Sequence, residues 1–209
     1  MKTKYMKNTI FSISAFLLLG LGISLQIKAG IGQSMLNAFA LTLAELFQLE
    51  VGTLLNILNI IFFTAYIYIR KTKISFRDII QILSTIMNGY IINLFVYQIF
   101  VNVVIESYLL KIFIFLLGLC LASISLGAIL AIEIIKFPLE SLCMLFSQKH
   151  RKSLTTVRMK FDIFFLCSTL IITLISKNTL YIREGTIISF LLLSRLMGFS
   201  YYFLKKIYI

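Results

Sequence analysis

The chain contains four uncharged, mostly apolar stretches, Thr9–Ile27, Val51–Ile69, Ile79–Ile105 and Ile112–Ile132. Each supplies the roughly 17 to 25 residues that a helix needs to cross a bilayer. Inside hydrocarbon a backbone must satisfy its own hydrogen bonds, so runs of this kind predict helices. Two further stretches, Val157–Ser176 and Gly185–Leu204, have the length but carry Arg158, Lys160 and Asp162 in one and Arg195 in the other. The predicted fold is therefore all-α and polytopic, with six spans. The balance of residues agrees: 60% are hydrophobic and 13% charged, against roughly 25% charged in a soluble domain.

The formal charge of +12 does not point to nucleic acid. A nucleic-acid binder presents a solvated basic face, whereas here the basic residues fall in short clusters between apolar runs. The opening "MKTKYMKNTI" has the charge pattern of a signal peptide, but comparable apolar runs follow, so it reads as the start of a first span that also sets orientation. Cys120, Cys143 and Cys167 stand singly, and His150 is the only histidine. That pattern predicts no metal site, no disulfide and no cofactor.

Two shorter apolar segments, Gln33–Leu49 and Phe137–Gln148, read as re-entrant or interfacial helices. If neither crosses, six spans put thirteen basic residues, Lys2, Lys4, Lys7, Arg70, Lys71, Lys73, Arg77, Lys136, Lys149, Arg151, Lys152, Lys205 and Lys206, on one side. Lys28, Lys111, Lys177 and Arg183 remain on the other. Cytoplasmic loops carry the excess of Lys and Arg, so both termini are expected in the cytoplasm. The same count places the two short helices on opposite sides. Residues 1–106 and 107–209 then form two inverted three-span repeats, each with an acid–base turn, Arg77–Asp78 or Arg183–Glu184, before its last span.

Glycines concentrate where the first span ends. Gly20 and Gly22 lie within it, and "KAGIGQSMLN" from Lys28 to Asn37 follows. No strand precedes Gly20–Gly22, so a dinucleotide loop is not implied. The stretch reads as a hinge: glycine lets the backbone leave helical geometry, and Ser34 is placed to cap the next helix.

Ala29, Gly32 and "VGT" at Val51–Thr53, with Glu133, Pro138 and Glu140 in the second half, carry a resemblance. The segment resembles the YczE/YitT-type family of bacterial integral membrane proteins, whose halves carry a pattern like Ala-Asp-x-Gly-x-x-Pro-Trp-Asp after a glycine-rich first span. Here Gly30, Met35, Leu36 and Asn37 replace the acid, proline, tryptophan and second acid of the first copy. The second copy has Glu133, Pro138 and Glu140 at those positions. The resemblance also implies an arginine and an acid four residues apart opening the next span, which Arg158 and Asp162 supply.

An arginine or aspartate at the centre of a span costs about 2.5 to 3.5 kcal/mol on insertion scales, so each needs a partner, water or a route to the interface. Arg158 and Asp162 are one turn apart and share a face, where they either pair and snorkel or line a cavity. Arg195 lies mid-span, which predicts a buried partner such as Glu140 or Asp162. Thr53, Asn56 and Asn59 form one stripe, and Gly89, Asn93 and Tyr97 another. Such stripes either hold helices together or line a pathway. The pathway candidates are Gln26, Gln33, Ser34, Asn37, Asn56, Asn59, Asn93, Glu133, Glu140, Arg158, Asp162 and Arg195.

No GxSxG elbow, HExxH helix or intramembrane histidine is present, and no catalytic residue is assigned; an enzyme is not expected. The expected function is secondary or facilitated movement of a small solute or lipid-like molecule, through a site where interrupted helices meet. The alternative is a non-transporting module that stabilises a partner membrane complex. Expected partners are the lipid bilayer, a small solute, and a membrane-protein partner or second copy.

Overall fold

The computed structural model describes residues 2–132, 137–177 and 179–208, and these form helices joined by short connections, without strands. The elements are α1 (Lys2–Ala29), α2 (Met35–Phe47), α3 (Val51–Arg70), α4 (Phe76–Asn93) continued by a π-helical turn (Leu94–Ile99), α5 (Tyr108–Ile132), α6 (Pro138–His150), α7 (Leu154–Ser176) and α8 (Glu184–Tyr208). Five of them, α3, α4 with its π turn, α5, α7 and α8, are long and apolar enough to cross a membrane. Several such helices in one chain make a multi-pass membrane protein.

The predicted third span ends early. Phe100 N donates to Phe95 O at 2.8 Å, closing the π turn, and the chain leaves helical geometry before Val101. Four β-branched residues, Val101, Val103, Val104 and Ile105, follow within five positions. Branching at Cβ costs side-chain freedom in a helix, so continuation to Ile105 has little local support.

An ion pair fixes the start of α4. Asp78 does not pair with the adjacent Arg77 but with Arg70 at the end of α3. Arg70 Nη1 and Nη2 donate to Asp78 Oδ1 and Oδ2 at 2.9 and 2.7 Å. Ser75 N and Oγ donate to Asp78 Oδ2 at 2.7 and 2.9 Å. One carboxylate thus caps α4 and ties it to α3.

α1 and α5 pack along each other at the centre, where Gly22 and Gly118 face one another; a Cβ on Gly118 would stand 2.6 Å from Gly22 O. Around this pair, α1 also packs on α4 and α5 on α8; α2 lies on α3 and α7, and α6 on α3 and α7. Smaller contacts join α2 to α8 and α4 to α6. An aromatic core forms where the short helices meet α7, with Phe39 stacked on Phe165 at 5.5 Å between centroids and Phe62 beside it. α4 and α5 are about half enclosed, whereas α7 and α8 bury only 11% and 12% of their apolar windows. Large apolar side chains on those outer helices therefore face lipid rather than core.

α3 and α4 also approach closely. A Cβ on Gly52 would stand 2.0 Å from Gly89 O. Asn93 Oδ1 accepts from Gly52 N at 2.7 Å, Asn93 Nδ2 donates to Thr53 Oγ1 at 3.0 Å, and Asn56 Nδ2 donates to Ile86 O at 3.1 Å. Tyr97 Oη accepts from Val51 N at 3.1 Å, holding the first turn of α3. Glycine lets the backbones meet, and the amides then bond across the gap.

Candidate functional site

Three charged residues meet at the junction of α6 and α7. Phe137 is extended and Pro138 takes the first helical position, which starts α6 abruptly and puts Glu140 in its first turn. α7 starts at Ser153, whose Oγ accepts from Thr156 N at 3.1 Å. Arg158 then sits one turn into α7. Its Nη1 donates to Glu140 Oε1, and its Nε donates to Asp162 Oδ1 at 3.3 Å. The three side chains keep 31%, 31% and 17% exposure for Arg158, Glu140 and Asp162, so they are half-buried rather than sealed. With both carboxylates ionised the cluster carries one net negative charge, which a proton or a cationic group can neutralise.

Neighbouring polar groups fix this junction. Gln81 Nε2 of α4 donates to Ser141 Oγ, next to Glu140, at 3.1 Å. A groove of about 350 Å³ is lined by Phe146, His150, Lys152, Val157, Lys160 and Phe161, of which Val157 and Phe161 precede Arg158 and Asp162 in sequence. His150 stacks on Phe146 at 5.9 Å. The walls of the groove are aromatic and its rim is basic, and none of the three charged side chains of the cluster lines it.

A second constellation surrounds the break between α1 and α2. Gly30 has φ +67° and Gly32 φ +124°, a region that side chains rarely adopt. The break is clamped to the start of α8: Gly185 N donates to Ile31 O at 2.7 Å, Arg183 Nη1 to Gly30 O at 3.0 Å, and Gln33 N to Thr186 Oγ1 at 3.1 Å. A Cβ on Gly32 would stand 2.6 Å from Thr186 N, so glycine is needed there for space as well as conformation. Ser34 occupies the N-cap of α2, but its hydroxyl makes no capping bond; the chain is held by backbone groups instead. Gln33 is buried with neither amide atom partnered among the described residues, and Gln26, bonded through Nε2 to Gly22 O at 3.4 Å, leaves Oε1 unpartnered. At the other end of α2, Glu45 accepts from Thr179 N and Oγ1 at 3.1 and 2.9 Å. Burial, reinforced by the Glu45 charge, pushes the neighbouring Tyr181 phenol up to about 12.

The twelve candidates thus divide. Glu140, Arg158 and Asp162 come together; Gln26, Gln33 and Ser34 lie along the first break, with Asn37 buried on α2. Asn56 and Asn93 bond across the α3–α4 crossing, while Asn59 is half-buried on α3. Glu133 lies outside the described residues. Arg195 departs from expectation: it is exposed on α8, and neither Glu140 nor Asp162 reaches it, because α8 packs on neither α6 nor α7 among the described residues.

Residues 6–201 match the model of a family described as a family of unknown function (DUF6198). The chain belongs to that family. The match covers both constellations of this DUF6198 member. No curated protein and no solved structure matches it.

Several positions that organise these sites carry no signal in the sequence. Thr186, which accepts from Gln33 N and Arg183 N, follows the Arg183–Glu184 pair as an ordinary span residue. Gln81 and Ser141 bond over sixty positions of chain, and neither has a charge or spacing that announces it. Glu140 was legible as an acid near a helix start, but its pairing with Arg158 depends on the α6–α7 angle.

Proposed function

We propose that this DUF6198 member is a transporter-like protein that moves a small solute or lipid-like molecule across the bacterial cytoplasmic membrane. In this reading α1 is a sixth span; at 28 residues it is roughly 42 Å long, more than a bilayer core. Both termini are then cytoplasmic, and the two halves are inverted repeats of the kind found in YczE/YitT-type proteins. Support comes from how the helices pair. Exchanging the halves turns α2 on α7 into α6 on α3, α1 on α4 into α5 on α8, and α2 on α8 into α6 on α4, each of which occurs. Single cysteines replacing Glu45 and Gln148, in a cysteine-free background, are expected to react with impermeant reagent from opposite sides. Labelling of both from one side would refute the inverted arrangement.

The observation that carries the transport reading is Arg158 of α7 held between Asp162 and Glu140, which lies in the first turn of the short helix α6, with all three side chains half-buried. Neutralising Glu140 leaves Arg158 with Asp162 alone and loosens α6 from α7. α6 also rests on α3, so that movement passes to the other half. This is a charge switch at the first turn of a short helix, and helix ends are where membrane transporters put substrate and coupling-ion sites.

Protein reconstituted in liposomes and exposed to a mixture of small cellular metabolites should accumulate at least one of them over protein-free vesicles, as read by mass spectrometry of vesicle contents. The charge-free triple variant Glu140→Gln, Arg158→Leu, Asp162→Asn, which leaves no ion unpaired, should lose at least ten-fold of that uptake while melting like the wild type. Undiminished uptake in the triple variant would remove the cluster from the mechanism. No accumulation of any component, in either orientation of the pH gradient, would oppose transport.

A further inference from the structure

Arg195 stands in the middle of α8, about 16 Å from its Glu184 end and similarly far from Lys205, too deep for the side chain to reach either interface. It is exposed, and no hydrogen bond, ion pair or ring contact engages it among the described residues. It also lies on a stripe, Ile187, Leu191, Arg195, Phe199 and Tyr202, whose members are all exposed and spaced by four, four, four and three residues. That spacing forms one helical face.

α7 offers no cover for this face. α3 and α4 pack closely, but α7 and α8 do not pack on each other among the described residues. Aligning Arg77–Asp78 with Arg183–Glu184 explains the difference: Arg195 falls opposite Gly89 and Phe199 opposite Asn93. The residues that join α3 to α4 by close approach and amide bonding are replaced by a bulky charge and an aromatic ring. This alignment rests on the repeat proposed above; the open face of α8 does not.

We infer that the α8 face centred on Arg195 docks a transmembrane helix of a different membrane protein, one carrying a carboxylate at mid-depth. A long stripe at helical spacing fits a helix better than a lipid, whose headgroup would have to descend to the bilayer centre. A second copy of this chain fits poorly. A two-fold contact through the stripe would bring Arg195 towards its own equivalent, and no described acid lies at mid-depth on an exposed face to receive it. A cation without its counter-charge in hydrocarbon is costly, and a buried carboxylate on a partner removes that cost on both sides. The inference is independent of whether the protein moves a solute.

The test uses full-length protein in phosphatidylcholine vesicles at pH 8, labelled at Glu106→Cys in a cysteine-free background, with synthetic Leu-rich transmembrane peptides bearing Glu, Lys or Leu at the centre. Energy transfer should show the Glu peptide associating at least ten-fold more tightly than the Leu peptide. Arg195→Leu should abolish that preference without lowering the melting temperature, and Arg195→Glu should transfer it to the Lys peptide. Equal binding of the Glu and Leu peptides to the wild type, or an unchanged preference in Arg195→Leu, overturns the inference. So does efficient disulfide cross-linking of Phe199→Cys copies to one another, which would make the face a homodimer contact. Displacement of the Glu peptide by equimolar phosphatidic acid would assign the face to an anionic lipid and likewise overturn it.

Discussion

Gly89→Leu should destabilise the protein by at least about 3 kcal/mol, the upper range for overpacking, when unfolding is followed by titration with a denaturing detergent. A Cβ at Gly89 would stand 2.2 Å from Asn56 Oδ1 and 2.5 Å from Gly52 O, and a backbone carbonyl cannot rotate away as a side chain does. Relief requires α3 and α4 to move apart. That movement breaks the Asn93 bonds to Gly52 and Thr53 and the Asn56 bond to Ile86, each worth on average about 0.6 kcal/mol between membrane helices. Gly198 is the control, because a Cβ there meets nothing within 4 Å. Gly198→Ala should be neutral or stabilising by up to about 1 kcal/mol through helix propensity. If Gly89→Leu unfolds within about 0.5 kcal/mol of the wild type, the range of an ordinary surface substitution, α3 and α4 do not cross there.

The second large effect is at Arg158. Arg158→Leu leaves Glu140 and Asp162 together without their cation; removing one partner of a buried ion pair costs about 3 to 5 kcal/mol. Arg158 and Glu140 keep 31% exposure and Asp162 17%; water screens what it reaches, so the expected loss is about 2 to 4 kcal/mol. Glu140→Gln alone should cost less, roughly 1 kcal/mol, since Arg158 still bonds Asp162 and an amide oxygen can still accept. The triple variant used in the flux measurement should recover most of the loss, to within about 1 kcal/mol of the wild type, because no ion is then left uncompensated. The pattern is non-additive by design: one substitution is worse than three. Additive losses in the three single and one triple variants would mean that the side chains do not act as a unit.

The two effects differ in how far they could be anticipated. Gly89 and Asn93 lie at helical spacing, and Gly52 precedes the Thr53–Asn56 stripe, so a close helix contact was legible. Which helices made it was not, since several spans carry small and amide residues. Arg158 and Asp162, one turn apart, had to be near each other on any helix. The partner of Arg195 was the open choice, with Glu140 and Asp162 as candidates. The geometry gives both carboxylates to Arg158 and leaves Arg195 on the outside, a result that no periodicity within α8 could reveal.

Helix class, the apolar spans, the two short helices and the glycine break follow from local rules: period, charge-free length and backbone conformation act within a few residues of chain. The end of α4 shows the limit of even these rules, for a run of uncharged residues sets how long a span could be, while β-branching and the π turn set where the helix stops. Partners are a different kind of fact. The choice of Arg70 over Arg77 for Asp78, the clamp of Thr186 on the first break, the meeting of Glu140 with Arg158 and the outward aspect of Arg195 all depend on how rigid helices cross. The sequence by itself determined which segments are long and apolar enough to enter the bilayer and which charges would need an answer there. The tertiary structure alone decided which charge answers which, because a helix rotation of a third of a turn changes every side-chain neighbour without altering a single local preference.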